Sequence, residues 1–363
     1  NVFFEDCKKL NIKRPQYVSK ASDHIDDYIH MIEKLLQDGY AYQANGNVYF
    51  DVSKMPDYYK LSGKNPDDLK VAVRDDVEHD TFKRNPADFG LWFTNSKFNN
   101  QAMKWDSPWG VGYPGWHIEC SNIAIHFLGE YLDIHCGGVD NIFPHHSNEI
   151  AQSEAYLGHK WCNYWMHGEY LNDETGKMSK SKGEFLTLSL LIKKGYDPLS
   201  YRYFCLESHY RKQLAFSYES LDRAVSSYQS LKNKVKHMMN EVTGEVDENL
   251  FHDYQQKFKD ALSDDLNTAN ALTVLYEVLK HDMNNKTKLA LIEDFDQVLS
   301  LSLLKVEEID DDLKQQVLEL IAERTEAKKE KNFARADEIR EILKNMGIQI
   351  KDTREGTTFE KIS

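Results

Sequence analysis

A short apolar run, Tyr131-Leu132-Asp133-Ile134, is followed by a glycine pair, Gly137-Gly138, and then by a stretch from Pro144 to Gly158 that holds no helix breaker after the proline. These signals read in succession as a strand, a glycine turn and a helix that starts at Pro144 and stops at Gly158. A strand feeding a helix in this way is the βα unit of an open α/β sheet, whose ligands bind beyond the strand ends. The unit places the chain in the α/β class and directs the search for chemistry to the residues after Ile134.

Upstream, Ile25, Tyr28, Ile29, Ile32, Leu35 and Leu36 recur at helical spacing, with Gly39 where that helix would end. Tyr42 to Phe50 sets Asn45-Gly46 between two β-prone runs, the strongest short-range hairpin signal. The stretch from Asn85 to Pro114, rich in Pro, Gly, Asn and Trp, reads as irregular. Beyond Ser217 the chain turns helical, with one long apolar face from Leu221 to Met238 and a second helix starting near Asn267 or Thr268. A third helix carries Leu313, Val317, Leu320 and Ile321, and a fourth runs from Ala336 to Met346 and closes at Gly347. A small hairpin is expected around Glu355-Gly356.

Composition narrows the functional classes. The 45 basic and 59 acidic side chains give a formal charge of −14, which disfavours field-driven binding of nucleic acid or anionic membrane over the surface as a whole. Any phosphate contact is expected to be local. No apolar run reaches the roughly 18 residues of a membrane span and no basic-then-apolar leader is visible, so a cytoplasmic location is expected. The five cysteines, Cys7, Cys120, Cys136, Cys162 and Cys205, are an odd, sparse set that suits reduced thiols or metal ligands rather than a disulfide framework.

Two constellations carry chemistry. His145 and Glu149, spaced i, i+4, would project from one helix face toward a common point, as zinc-binding helices require. Cys120, in Gly115-Trp116-His117-Ile118-Glu119-Cys120, would add a thiolate, completing a Cys, His and carboxylate set for a tetrahedral zinc with one position open. The same spacing also suits an ordinary helix-surface pair beside a buried cysteine, and His135, Cys136 and His146 are rival ligands. The second constellation is Lys177-Met178-Ser179-Lys180-Ser181-Lys182-Gly183, whose ammonium groups could neutralise a polyphosphate. Bare composition equally describes a solvated charged loop.

Lys177 to Ser181 is identified as the KMSKS signature of class I aminoacyl-tRNA synthetases. Gly115 to Ser121 and Phe143-Pro144-His145-His146-Ser147-Asn148-Glu149-Ile150-Ala151-Gln152 closely resemble the cysteinyl-tRNA synthetase family. Asn163 to His167, His209-Tyr210-Arg211 and Phe333-Ala334-Arg335-Ala336-Asp337 follow that family in the same order, so the resemblance covers essentially the whole chain. It implies a partial class I Rossmann-like catalytic domain, then an α-helical bundle and a small C-terminal anticodon-binding region. Residue by residue, it implies Cys120, His145 and Glu149 as ligands of one zinc per chain, and Trp116 and His135 as walls of the cysteine pocket. Gly138 and Asp140 would lie at the nucleotide ribose, Lys180 would bind ATP delivered with Mg2+, and Lys177 and Lys180 would act in catalysis. An open zinc position takes a thiolate and lacks a counterpart in serine, so coordination would discriminate the two without editing. Lysines on the KMSKS loop would stabilise charge on the leaving pyrophosphate. The sequence departs from the family at Lys182-Gly183-Glu184, at Ser147 where an acidic residue is usual, and at Phe359 in place of a tryptophan.

The family's HIGH tetrapeptide and its upstream zinc cysteine find no match, and Cys7 lacks the expected context. The expectation is therefore that 1–114 is connective insertion and lead-in, and 115–186 the second Rossmann half with the zinc ligands and KMSKS loop. A connector at 187–216, a helical tRNA-binding bundle at 217–305 and an anticodon-side region at 306–363 would follow. A chain lacking the HIGH half is expected to show no adenylation alone. Residues 311–363 carry 11 basic and 12 acidic side chains, and Lys328, Lys329, Lys331 and Arg335 form a local basic patch for tRNA, or else a solvated helix face. The expected activity is a cysteine–tRNA ligase acting as a monomer on cysteine, ATP and tRNA(Cys), with no membrane partner. The alternatives are an ATP-dependent ligase joining cysteine to an amino sugar in mycothiol synthesis, which the helical tail disfavours, and a non-catalytic tRNA-binding fragment.

Overall fold

The computed structural model describes residues 2–64, 82–95, 101–173, 176–177, 186–305, 311–353 and 356–361. The chain divides into two compact units. It opens on α1 (Val2–Lys9), which belongs with the helical unit of Asn1–Ile12, Lys180–Ser208 and Ser217–Ser363; the other unit comprises Lys13–Ser179 and His209–Phe216.

In the latter unit, α2 (Ile25–Gln37) buries Ile25, Tyr28, Ile32 and Leu35 of the predicted stripe, together with Met31, while Ile29 and Leu36 are partly buried at its edge. The hairpin is present as β1 (Ala41–Ala44) and β2 (Asn47–Phe50). Asn45 and Gly46 both have positive φ, 49° and 79°, as a two-residue primed turn requires. The expectation of irregular structure from Asn85 to Pro114 is corrected in part. Phe89–Phe93 forms β3 and Tyr113–Pro114 forms β4, giving a four-stranded sheet in the order β1-β2-β3-β4. Glycines that read as loop signals are packing positions here: a Cβ at Gly112 would meet the Phe93 carbonyl oxygen at 2.2 Å, and one at Gly115 the Gly90 oxygen at 2.0 Å.

Next come α3 (Trp116–Leu128), β5 (Leu132–Gly138), α4 (Ser147–Leu157) and β6 (Cys162–Gly168), with β5 and β6 paired in parallel across the helix. The βα unit read from sequence is therefore present, with two corrections. Gly137 and Gly138 do not turn the chain; they close β5, opposite His167 and Gly168. Pro144 does not start the helix; it follows a cis peptide bond inside a π-type turn, Ile142–His146, and α4 begins at Ser147. The helix stops at Gly158, which is left-handed as expected. A third sheet joins β7 (Leu171–Asp173) to β8 (Gly176–Lys177) and, in parallel, to β9 (Leu214–Phe216). The core of the unit gathers Tyr28, Ile32, Leu35, Val48, Phe50, Leu91, Trp92, Ile118 and Ala151.

The helical unit holds α5 (Leu188–Lys193), α6 (Pro198–Leu206), α7 (Tyr218–Asn240), α8 (Glu248–Ser263), α9 (Thr268–Lys280) and α10 (Asn285–Leu299). Ser217 caps α7 through a reciprocal contact with Ser220, and of the two expected starts of α9 it is Asn267 that caps the helix. Helices α8 and α10 were not anticipated; Phe258 and Phe295 stack between them with ring centroids 4.1 Å apart. Residues 187–216, read from sequence as a connector, carry α5 and α6. Arg202 on α6 donates to the carbonyls of Leu299 and Leu10, tying the first turn of chain into this unit. The last elements are α11 (Asp311–Lys329), α12 (Phe333–Asn345), β10 (Ile348–Thr353) and β11 (Gly356–Lys361), around a core of Val317, Ile339, Leu343, Ile348 and Ile350. No helix among the described residues is long and apolar enough to cross a membrane.

Candidate metal centre and substrate site

Cys120 comes from α3, His145 and His146 from the turn before α4, Glu149 from the first turn of α4 and His135 from β5. Gln152 fastens α3 to α4, donating from Nε2 to the Ser121 hydroxyl at 2.6 Å and to the His117 carbonyl. The ligand atoms of Cys120, His145 and Glu149 all lie within 4.8 Å of one another, and those of His135, His146 and Glu149 form a second such group around the same carboxylate. His145 Nε2 approaches Glu149 Oε1 to 3.0 Å, and His135 Nε2 approaches Oε2 to 3.5 Å. Glu149 is fully buried, yet neither of its oxygens accepts a hydrogen bond, because these imidazoles approach without hydrogen-bond alignment.

The surrounding charges favour a cation at this point. Burial, reinforced by the neighbouring imidazoles, depresses His117 and His146 to about 3, so both rings are neutral near pH 7 with a lone pair to offer. Burial, then the charges of Glu149 and Glu119, pushes the Cys120 thiol up to about 12. A buried carboxylate without a hydrogen bond costs at least about 1–3 kcal/mol, and a metal ion would satisfy that carboxylate and draw the proton from the thiol together. His117 Nδ1 lies 2.6 Å from His145 Nδ1. If His145 donates there to the neutral His117 ring, its Nε2 lone pair is left facing Glu149, the arrangement that ligating histidines use. His146 Nδ1 makes the corresponding contact with His167 Nε2 at 2.8 Å.

The remaining residues singled out in the sequence fall as follows. Trp116 is 62% exposed and lays its ring 4.2 Å from that of His145. His135 contacts Trp165 and His146 at ring distances of 4.8 Å. A Cβ at Gly138 would lie 2.5 Å from Asp140 Oδ1, so the end of β5 and this carboxylate approach closely. Cys136 is exposed and outside both ligand groups. The backbone of Lys177 lies in β8, opposite Asn172; Met178 to Lys182, with Lys180, fall outside the described residues. On α11 and α12 the basic patch is engaged by acidic groups: Lys328 pairs with Asp352, Lys329 with Glu326, and Arg335 with Glu323 and Glu338. His117, Trp165 and His167 complete the cluster but were not singled out. His117 was within reach, lying inside the same run as Cys120, whereas His167 and Trp165 arrive only through the β5–β6 register.

Comparison with known proteins identifies the family. The family model described as the class I (C) tRNA synthetase catalytic domain matches residues 1–226, the DALR domain matches 257–303, and the cysteinyl-tRNA ligase anticodon binding domain matches 310–359. A cysteine–tRNA ligase from Treponema denticola is 43% identical over 99% of this chain and 78% of its own length. One from Clostridioides difficile is 41% identical over 99% of this chain and 80% of its own. Among solved structures, Mycobacterium tuberculosis methionyl-tRNA synthetase with methionyl-adenylate matches 83% of this chain and 76% of its own at a TM-score of 0.52 and 11% identity, a likeness of fold alone.

Proposed function

The chain belongs to the cysteine–tRNA ligase family of class I aminoacyl-tRNA synthetases, and we propose from this premise that its zinc-binding pocket selects cysteine for activation by ATP and transfer to tRNA(Cys). The observation that carries the proposal is the buried Glu149 carboxylate, with neither oxygen hydrogen-bonded, facing Cys120 and His145. Cys120, His145 and Glu149 would hold the ion, which when bound supplies a soft position for a thiolate. Trp116 and His135 would wall the amino acid, the His117 ring would hold the ligating His145 in place, and His167 would do the same for its neighbour His146.

In the reaction the cysteine carboxylate attacks the α-phosphorus of ATP, expelling pyrophosphate, and the terminal ribose hydroxyl of tRNA then attacks the acyl carbonyl, expelling AMP. Gly138 and Asp140 would receive the nucleotide ribose. Lys177 and Lys180 would stabilise the charge that collects on the leaving pyrophosphate, with Mg2+ accompanying the ATP. Lys328 and Arg335 would exchange carboxylate partners for tRNA phosphates, and Lys331 would add a further contact. The anticodon-binding match at 310–359 separates this reading from an amino-sugar ligase. The protein would act as a monomer in the cytoplasm.

The test is zinc content by elemental analysis after dialysis against a weak chelator. Wild type is expected to retain about one tightly held zinc per chain and Cys120→Ala to lose it. Equal zinc in both would move the ligand role away from Cys120.

A further inference from the structure

We infer that His24, Asp27 and His126 form a second divalent-metal site, of the zinc type, between the start of α2 and the end of α3. His24 Nδ1 and His126 Nδ1 approach the same oxygen, Asp27 Oδ2, at 3.1 and 3.6 Å. One ligand atom from each of the three residues lies within 4.8 Å of the others. The group shares no residue with the Cys120, His145 and Glu149 set.

The surroundings hold these side chains in place. His24 is 7% exposed, and its Nε2 lies 2.6 Å from the Ser19 hydroxyl. In the metal-free protein Nδ1 donates to Asp27 Oδ2; with an ion bound, the proton would sit on Nε2 and be donated to Ser19, leaving the Nδ1 lone pair to the metal, the outer contact that metal-ligating histidines use. His24 and His126 meet edge to face at 5.0 Å, and Phe127 packs against both rings. Asn122, one helical turn before His126, donates to the Asp27 backbone carbonyl at 3.2 Å and fixes α3 against α2. Sequence proximity, three residues apart at the start of α2, accounts for His24 reaching Asp27. It does not account for an imidazole from a different helix converging on the same oxygen.

Two imidazoles and one carboxylate suit zinc, copper or nickel rather than magnesium or calcium. The Asp27 and His126 side chains are 47% and 49% exposed, so water would complete the coordination. With no thiolate, this site binds zinc more weakly than the buried one. Because it bridges α2 and α3, an ion bound here stabilises the pairing of these helices by mass action.

The experiment is Co2+ titration of the metal-free full chain, followed by absorption and by equilibrium stoichiometry, on wild type, His126→Gln and Cys120→Ala. The buried site carries a sulfur-to-cobalt charge-transfer band and the second site does not, so the two are read separately. The wild type is expected to take up a weaker Co2+ equivalent without a charge-transfer band. His126→Gln loses that equivalent, weakening it about tenfold or more, while Cys120→Ala retains it. His126 is half-exposed, so the variant is expected to fold, and unchanged far-ultraviolet circular dichroism checks this; Asp27→Asn serves as a second variant. An equivalent absent from the wild type, or unaffected by both substitutions, overturns the proposal. Loss of the charge-transfer equivalent alone would count against the zinc pocket and leave this site standing.

Discussion

Glu149 is a buried carboxylate ringed by imidazoles and a thiol, with neither oxygen hydrogen-bonded, and such a group is costly unless a cation joins it. The energetics of the metal-free protein follow from its histidines. An unfolded chain takes up protons on His117 and His146 near the ordinary imidazole value of about 6.5, whereas the folded protein resists until about pH 3. Protonation in that window favours unfolding, so stability is complete above about pH 6.5 and is lost as pH falls toward 3. Urea midpoints of the metal-free protein should drop across this range, and a flat profile would contradict the buried, neutral assignment. Metal affinity has the opposite partner in Cys120. Its proton must leave when an ion binds, so zinc affinity should rise about tenfold per pH unit between pH 6 and 8, as competition with a chelator of known pH dependence would show.

At the scale of elements, the end of β5 is shaped by what it touches. A Cβ at Gly137 would lie 2.6 Å from Cε1 and 2.8 Å from Nε2 of His146, so Gly137→Ala must displace the ring or the strand. The expected cost is about 1–3 kcal/mol, read as a melting temperature several degrees lower, with weakened zinc retention. In the helical unit, Asn267 accepts from the Asn270 amide, and Asn267→Ala should cost about 1 kcal/mol without touching zinc.

The same elements show what could be read in advance and why. Helix α2, the β1–β2 hairpin and α7 follow local rules of spacing, turn and cap, and they are legible in the sequence. Strand β3 was hidden because Gly90, Gly112 and Gly115 pack against backbone or ring atoms, where composition alone suggests a loop. Helix α8 buries only Tyr254 and Phe258, too thin a stripe to stand out in the sequence, and it packs on α10 through the Phe258–Phe295 stack, a contact that local periodicity does not encode. Cys120, His145 and Glu149 could be named together through the family motif, since spacing links only the last two. The convergence of His117, His135, His146 and His167 depends on the parallel β5–β6 register and on the turn before α4, neither of which local periodicity encodes.

At the scale of the whole molecule, the net charge of −14 requires tRNA to be held through local contacts. Lys328 and Arg335 already carry carboxylate partners, which tempers their attraction for phosphate. Replacing Lys328, Lys331 and Arg335 together by Ala should weaken tRNA(Cys) binding about tenfold or more and make its dependence on salt shallower, as filter binding across a salt series would reveal. Unchanged affinity would place the tRNA contact elsewhere. The central claim concerns the amino acid itself. Its most direct test is calorimetric titration of the zinc-loaded chain with cysteine and, separately, with serine. The account predicts that cysteine binds with release of its thiol proton and that serine binds at least about a hundredfold more weakly; equal affinity for the two would contradict it.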